Sequence, residues 1–385
     1  MALFPAVMIG GPPHSGKSVL AYSLTQALRQ KGIAHYVLRA YPDGEGDWAN
    51  EADQQLVRQI RVKGQGTPQW IDFICRDIAN RHLPLIVDVG GRPTAWQEAV
   101  FNHCTHAILL TPDPAARQEW QAFISKYGLQ LVADLHSSLT GDDLIESESP
   151  CLSGQVSGLE RGHTAQGRMV QALVDRLTTL FDYDEAELRQ AHMATAPTEL
   201  VVELNRVGQT FGSSSERWHY WLPTHLPALL DYLPANTPLA LYDRGPNWLY
   251  AAIAQHLCPA ELYQFDSRLG WVASPRLTAS STTNSTLVAH LAEFDTHRQL
   301  EFELSAPYLD YAEAESLTVP VLPRTSGLII SGKLPLWLWT ALVRVYHDLP
   351  WLAVFQPQLE QQGVVIASRD KRNPIGSLVR WVAPK

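Results

Sequence analysis

Positive charge is in short supply in this chain. It has 30 lysines and arginines against 39 aspartates and glutamates, a formal net charge of -9 over 385 residues. That balance excludes a general basic surface for gripping duplex DNA, because neutralising a run of phosphates takes a run of cations. A small anionic ligand in a local pocket remains compatible with it. Cysteine is scarcer still. Cys75, Cys104, Cys151 and Cys258 form no Cys-x-x-Cys pair, which speaks against both a zinc site and a disulfide framework. No apolar run approaches the roughly 20 residues that cross a bilayer, so no membrane partner is expected. The opening Met1-Ala2-Leu3-Phe4-Pro5 has no basic region, and no signal peptide is read there. A reducing cytoplasm is the expected location. What is present is a chain 45% hydrophobic with 12 tryptophans, enough for two or three folded domains.

The most specific local pattern is Gly11-Pro12-Pro13-His14-Ser15-Gly16-Lys17-Ser18, a complete Gly-x-x-x-x-Gly-Lys-Ser phosphate loop. The apolar run Ala6-Val7-Met8-Ile9 before it reads as a buried strand. The run after it carries Leu20, Leu24, Ala27 and Leu28 at one-face helical spacing and stops at Gly32. Backbone N–H groups of Gly11, Ser15 and Gly16 suit a polyphosphate, Lys17 its outer phosphates, and the Ser18 hydroxyl a magnesium ion. ATP or another nucleoside triphosphate with magnesium is the expected ligand. Leu83 to Asp88 is an apolar strand ending in a carboxylate, and Asp88 is the expected second magnesium-side residue, with Val89-Gly90-Gly91 turning close to the phosphates.

Strands and helices alternate as far as about residue 185. Strands are predicted at 35–39, 106–111 and 129–132, and helices from Thr67-Pro68, around 117–127 and at 169–181. Such alternation predicts a doubly wound parallel sheet, an α/β phosphate-loop NTPase domain over residues 1–192. An acidic, glycine-bearing loop with Asp43, Glu45 and Asp47 follows the second strand and suits a metal, a water or a second substrate. Ala191 to Thr198 reads as a linker.

Beyond the linker the chain repeats itself. Leu200 to Leu204 resembles Leu300 to Leu304, and Leu239-Ala240-Leu241 resembles Leu328-Ile329-Ile330. Pro246-Asn247-Trp248-Leu249-Tyr250 matches Pro335-Leu336-Trp337-Leu338-Trp339, with Trp248 and Trp337 expected as core anchors. After a one-residue slip Phe265-Asp266-Ser267-Arg268-Leu269 matches Phe355-Gln356-Pro357-Gln358-Leu359, and each copy closes on a glycine and an apolar strand, at Gly270 and Gly363. Two tandem α+β modules are therefore predicted, at 198–279 and 287–385, joined by the polar stretch 280–286 and packed together as a pseudo-dimer. The first copy keeps the charged pair Asp266 and Arg268 where the second has Gln356 and Gln358, which suggests divided labour.

At these residues the sequence resembles the small CRISPR-associated ring nucleases of type III systems, some of which are fused to an N-terminal AAA-type phosphate-loop domain. The resemblance covers Pro197 to Lys385 through the Trp-Leu-Tyr run, a histidine, Phe-Asp-x-Arg-Leu-Gly, and an apolar strand ending in serine. It implies cyclic tetra-adenylate as substrate, opened when a ribose 2′-OH attacks the adjoining phosphodiester to leave linear fragments with 2′,3′-cyclic phosphate ends. It also implies manganese dependence and a homo-oligomer that sandwiches its ligand. The family's aspartate and arginine fall on Asp266 and Arg268, and its histidine on His256 in the first copy and His347 in the second. Histidine suits proton transfer near neutral pH, and a guanidinium suits a crowded, charged phosphorane. A histidine expected on the last strand is replaced by Arg369 after Ser368 or is absent.

Degradation of the messenger by a ring nuclease with a regulatory ATP-binding domain is the function expected first. Two others remain open. One is a messenger sensor coupled to an ATPase, favoured by the depleted second copy. The other is a nucleotide kinase with the duplicated module as scaffold, favoured by the acidic loop.

Overall fold

A computed structural model describes residues 4–40, 67–91, 94–211, 221–281, 285–306 and 309–382. The chain forms two compact units. The first comprises Met1–Arg189 with Ser267–Gly270, the second Gln190–Asp266 with Trp271–Lys385.

In chain order the first unit runs β1 (Ala6–Gly10), α1 (Lys17–Gln30), β2 (Tyr36–Arg39), α2 (Pro68–Ala79), β3 (Leu85–Asp88), β4 (His106–Thr111), α3 (Pro114–Lys126), β5 (Gln130–Ser138), β6 (Leu144–Ser147), β7 (Leu152–Ser157) and α4 (Arg168–Leu180). Its seven strands lie in the order β2-β3-β1-β4-β5-β7-β6. Every neighbouring pair is parallel except β6 with β7. Parallel strands are covered on both faces, so they read as unbroken apolar runs, and all five residues of β1 are buried. Helix starts follow their caps. Thr67 Oγ1 accepts from Trp70 N at 3.2 Å ahead of Pro68, and Asp113 Oδ1 accepts from Ala116 N at 2.9 Å ahead of Pro114. One face packs α1 and α4 on the strands around a core that includes Ile9, Leu24, Ile108, Leu135, Leu173 and Phe181.

The stretch read as a linker begins inside a helix. α5 (Glu185–Ala194) starts where Asp184 Oδ1 accepts from Ala186 N at 2.7 Å and Glu187 N at 3.0 Å, and it continues to Ala194. The β6–β7 hairpin was also not legible, because β6 is four residues long at a sheet edge with Leu144 facing outward, which leaves almost no alternation to detect.

The second unit continues with β8 (Val201–Glu203), α6 (Leu204–Phe211), α7 (Leu226–Tyr232), β9 (Leu239–Tyr242), α8 (Asn247–Leu257), β10 (Leu262–Asp266), β11 (Gly270–Ala273) and β12 (Thr278–Ser280). There follow β13 (Leu287–Glu293), β14 (His297–Leu304), β15 (Thr318–Pro320), β16 (Gly327–Gly332), α9 (Leu336–Val345), β17 (Trp351–Gln356), β18 (Gln362–Ser368) and β19 (Leu378–Arg380). One sheet has the order β11-β10-β9-β8, another β13-β14-β16-β17-β18-β19, and β12 pairs with β15.

The repetition seen in the sequence reappears in the pairing. β8, β9 and β10 are successive parallel neighbours, with β11 beyond β10. β14, β16 and β17 are likewise parallel neighbours, with antiparallel β18 beyond β17. Register agrees as well. Leu241 lies opposite Gln264 and Ile330 opposite Val354, so Tyr242 and Ser331, and Phe265 and Phe355, hold matching places. The copies differ at both borders: β13 covers the outer edge of β14 and β19 that of β18, whereas no described strand lies outside β8 or β11.

The two crossover helices, α8 and α9, pack on each other, and α8 also packs on β17 and β18. Gln255 Nε2 donates to the His347 carbonyl at 3.2 Å, and Arg344 Nη2 to the Pro259 carbonyl at 3.0 Å. Trp248 and Trp337 are 2% and 0% exposed, as anchors of a buried helix pair should be. Trp337→Ala should cost about 3–5 kcal/mol. Chemical denaturation checks this, and a loss below about 1 kcal/mol would show that the seam does not depend on the indole.

Candidate functional site

Two clusters of candidate site residues sit at carboxyl edges of parallel strands, where α/β sheets leave room for ligands. In the first unit the chain leaves β1 through Gly10 and turns at Gly11. Gly11 has φ +152°, and a Cβ there would stand 2.0 Å from the Leu110 carbonyl oxygen, so only glycine fits. Gly91 closes the other side, since its Cβ would meet Pro13 N at 2.5 Å. Gly16 enters α1 with φ +91°. Lys17 is 8% exposed and its Nζ donates to the Gly11 carbonyl at 2.8 Å and the Pro12 carbonyl at 2.7 Å. Ser15 Oγ is buried with no hydrogen-bond partner, a donor turned into the loop. Ser18 lies half-buried in the first turn of α1.

Asp88 ends β3 directly beside β1, in register with Ile9. It is 6% exposed, and Oδ2 accepts from Arg39 Nη1 at 3.1 Å, a partner the sequence did not reveal because Arg39 is 49 residues away on β2. Asp43, Glu45 and Asp47 lie outside the described residues. Gly11→Ala should lower stability by at least ~2 kcal/mol, from the strained φ and the clash together. Thermal unfolding reads this, and an unchanged midpoint would mean the loop can relax away from Leu110.

In the second unit the matching edge belongs to β8, β9 and β10. Asp243 follows β9 with φ +78°, a left-handed conformation unusual outside glycine. Its carboxylate accepts from Asn205 N at 3.1 Å, and its carbonyl accepts from Tyr250 Oη at 2.6 Å. Tyr250 is buried on α8. Burial, followed by the charges of Asp243 and Asp266, pushes its phenol well above the ordinary value, with Arg244 pulling the other way. Tyr250 thus stays protonated and donates. Asp266 ends β10, partly exposed, within the same electrostatic neighbourhood. Arg244 is exposed two residues before Pro246, and Lys333 stands two residues before Pro335 at the same place in the other copy. Burial depresses the Lys333 amine below its ordinary value.

The structure separates residues that the sequence reading grouped. α8 returns the chain from the carboxyl edge of β9 to the amino edge of β10, as a parallel crossover must. His256, in the last turn of α8, is therefore at the edge opposite Asp266, with the five residues of β10, about 13 Å, between them. Its Nε2 is 3.1 Å from the Leu233 carbonyl. His347 just beyond α9 has Nδ1 2.9 Å from the Arg344 carbonyl and Nε2 3.1 Å from Asp348 Oδ1. Neither histidine joins Asp266. Arg268 lies on the turn that groups with the first unit, where its Nε is 3.2 Å from Asp77 Oδ2. Gln356 Nε2 donates to Gln358 Oε1. Asp243, Arg244 and Tyr250 escaped the sequence reading, although the pairing of Arg244 with Lys333 before matched prolines was there to be seen. Among the described residues no group of three or more His, Cys, Asp or Glu side chains is placed to hold a metal ion. Nor is any described helix long and apolar enough to cross a membrane.

Residues 302–380 match the family model described as CRISPR-associated protein (Cas_csx3). That stretch runs from within β14 to β19 and so falls on the second copy. It establishes a CRISPR-associated domain there, and Asp266 and Arg268 lie outside it. An uncharacterized protein of Aquifex aeolicus (strain VF5) is 32% identical over 54 residues, 14% of this chain and 48% of that protein. The match thus spans about half the length of that relative.

Proposed function

We propose that this chain is a ring nuclease of type III CRISPR signalling, built from two copies of the Cas_csx3-like module and an ATP-binding phosphate-loop domain. The Cas_csx3 match over residues 302–380 carries the proposal, together with the identical strand order that β8 to β11 share with β14 to β18. The substrate is cyclic tetra-adenylate.

The first copy does the cutting. The 2′-oxygen of one ribose attacks the adjoining phosphorus while the bond to the 5′-oxygen of the next nucleotide breaks. Asp266 takes the 2′-OH proton, and water protonates the departing 5′-oxygen. The products carry a 2′,3′-cyclic phosphate and a free 5′-OH. Arg244 meets the non-bridging oxygens, whose charge grows in the transition state. Tyr250 holds the Asp243 carbonyl and so fixes the turn that presents Arg244. The second copy, with Gln356 and Gln358 in place of the acid and guanidinium, binds the ring through Lys333 without cutting it.

The phosphate-loop residues fit a nucleotide: the buried Ser15 hydroxyl has no protein partner and the loop has room only for glycine at Gly11. Gly11 to Lys17 would hold the phosphates of ATP, and Ser18 with Asp88 a magnesium ion, which would neutralise phosphate charge. For the metal to meet Asp88, Arg39 must share or release that carboxylate.

The test is chromatography of cyclic tetra-adenylate after incubation with the full chain, with and without manganese and ATP. Linear products with cyclic phosphate ends are expected. Intact ring under all conditions would sink the enzyme reading. A ligand-induced thermal shift without turnover would then favour a sensor.

A further inference from the structure

Packed against the first copy, from the helix that precedes it, is a buried histidine for which the proposed chemistry has no use. His192, on α5, is 5% exposed. Its ring lies on Phe265 with centroids 4.2 Å apart and planes 32° apart, and its Nδ1 is 2.8 Å from Tyr242 Oη. Its carbonyl accepts from Trp271 Nε1 at 2.8 Å. Tyr242, Phe265 and Trp271 close on one another as well, with centroid separations of 5.2, 5.3 and 6.0 Å.

Each ring belongs to a different strand end. Tyr242 is the last residue of β9 and Asp243 follows it. Phe265 directly precedes Asp266 on β10. Trp271 lies on β11. Successive residues of a strand point to opposite faces, so His192 braces the side of the strands away from the Asp266 carboxylate. The second copy gives an internal control. It has Ser331 where the first has Tyr242 and Val364 where the first has Trp271, and it is also the copy that has lost the acid at Gln356. The second copy keeps Phe355 at the place of Phe265 and packs it on Trp381 with ring centroids 5.0 Å apart, so what it lacks beside the acid is the tyrosine and the tryptophan of the first copy's cluster.

We propose that His192 is a positioning residue for Asp266: its stacking on Phe265 and its hydrogen bond to Tyr242 hold the ends of β9 and β10 in the geometry that ring opening requires. This rests on the reading that Asp266 serves in cutting the messenger. A catalytic group must be held within a fraction of an ångström, so a loosened brace lowers turnover more than binding.

The experiment compares the full chain with His192→Phe, which keeps an aromatic ring and removes the hydrogen bond, and His192→Asn, which offers a polar atom near the place of Nδ1. Turnover and KM for cyclic tetra-adenylate are measured beside hydrogen exchange of the amides over residues 263–271. For His192→Phe we expect kcat down about tenfold, the size of one lost hydrogen bond, with KM within twofold and faster exchange in that segment. His192→Asn, which loses the ring but offers the polar atom, should recover part of both. Wild-type turnover and exchange in His192→Phe overturn the proposal. So does an equal loss in both variants with a matching fall in melting temperature, which marks a merely structural residue. Should wild type leave the ring intact, the function reading fails, and exchange decides the bracing by itself. Faster exchange in His192→Phe that His192→Asn repairs sustains it, and unchanged exchange overturns it.

Discussion

Asp266→Asn protein should open cyclic tetra-adenylate at least about a hundredfold more slowly than wild type, because a positioned general base is worth roughly 10²–10⁴ in rate. The substitution is nearly isosteric and removes only the capacity to take a proton. Asp266 ends β10 at the sheet edge and is not part of the buried core, so the variant should melt within a few degrees of wild type. Gln356→Ala, at the same place in the other copy, should change the rate less than threefold, since an amide there offers no base. The rate constant under single-turnover conditions is the quantity to compare, because it excludes product release. An Asp266→Asn protein that cuts at the wild-type rate would remove the first copy from the chemistry and return attention to the matched stretch 302–380.

Lys17→Ala should abolish the stabilisation that magnesium-ATP confers. A ligand at a hundred times its dissociation constant adds about 2.7 kcal/mol to a folded protein, visible as a clear rise in melting temperature. The lysine is 8% exposed and its ammonium holds the Gly11 and Pro12 carbonyls, so its removal should also cost the unliganded protein about 1.5–3 kcal/mol. The two effects are separable. The unliganded melt reports the lost hydrogen bonds, and the difference between melts with and without magnesium-ATP reports the lost site. Ring opening measured without ATP should stay within threefold of wild type if the phosphate-loop domain regulates and does not cut. A full thermal response to ATP in Lys17→Ala would show that the loop is not the nucleotide site.

The parts that could be read without coordinates depend on neighbours in the chain. The phosphate loop is one of these, since a Gly-x-x-x-x-Gly-Lys-Ser run between an apolar strand and a one-faced helix carries its meaning within about 25 residues. The helix start at Thr67-Pro68 belongs to the same class, because a cap and a first-turn proline act over three or four residues, whereas the start at Asp113-Pro114 came only with the structure, three residues ahead of the stretch read as helical. The repeated strand pairing was legible for a different reason: two stretches with the same order of apolar runs and tryptophans corroborate each other. Edges were harder. The β6–β7 hairpin and the helical part of the stretch after residue 185 carry short, weak periodicity, and packing rather than pattern decides them.

The candidate site was only half legible. Asp266 could be singled out because its copy keeps a charge that the other has lost, a comparison internal to the sequence. Its companions could not. His256 is ten residues from Asp266 in the chain, yet it is at the far edge of the strands, because a crossover helix carries the chain the full length of the sheet and back. His192 is 74 positions before Asp266 and stacks on the ring beside it. Sequence alone thus supplied the Gly-x-x-x-x-Gly-Lys-Ser run, the repeated order of apolar runs and tryptophans, and the unequal charge of the two stretches, all of them properties of order along the chain. Tertiary structure alone decided which histidine stacks on Phe265 beside Asp266, which carboxylate Arg39 holds and which Arg268 meets. Those pairings follow from parallel strands placing their carboxyl ends side by side, an adjacency across the sheet that sequence separation does not record.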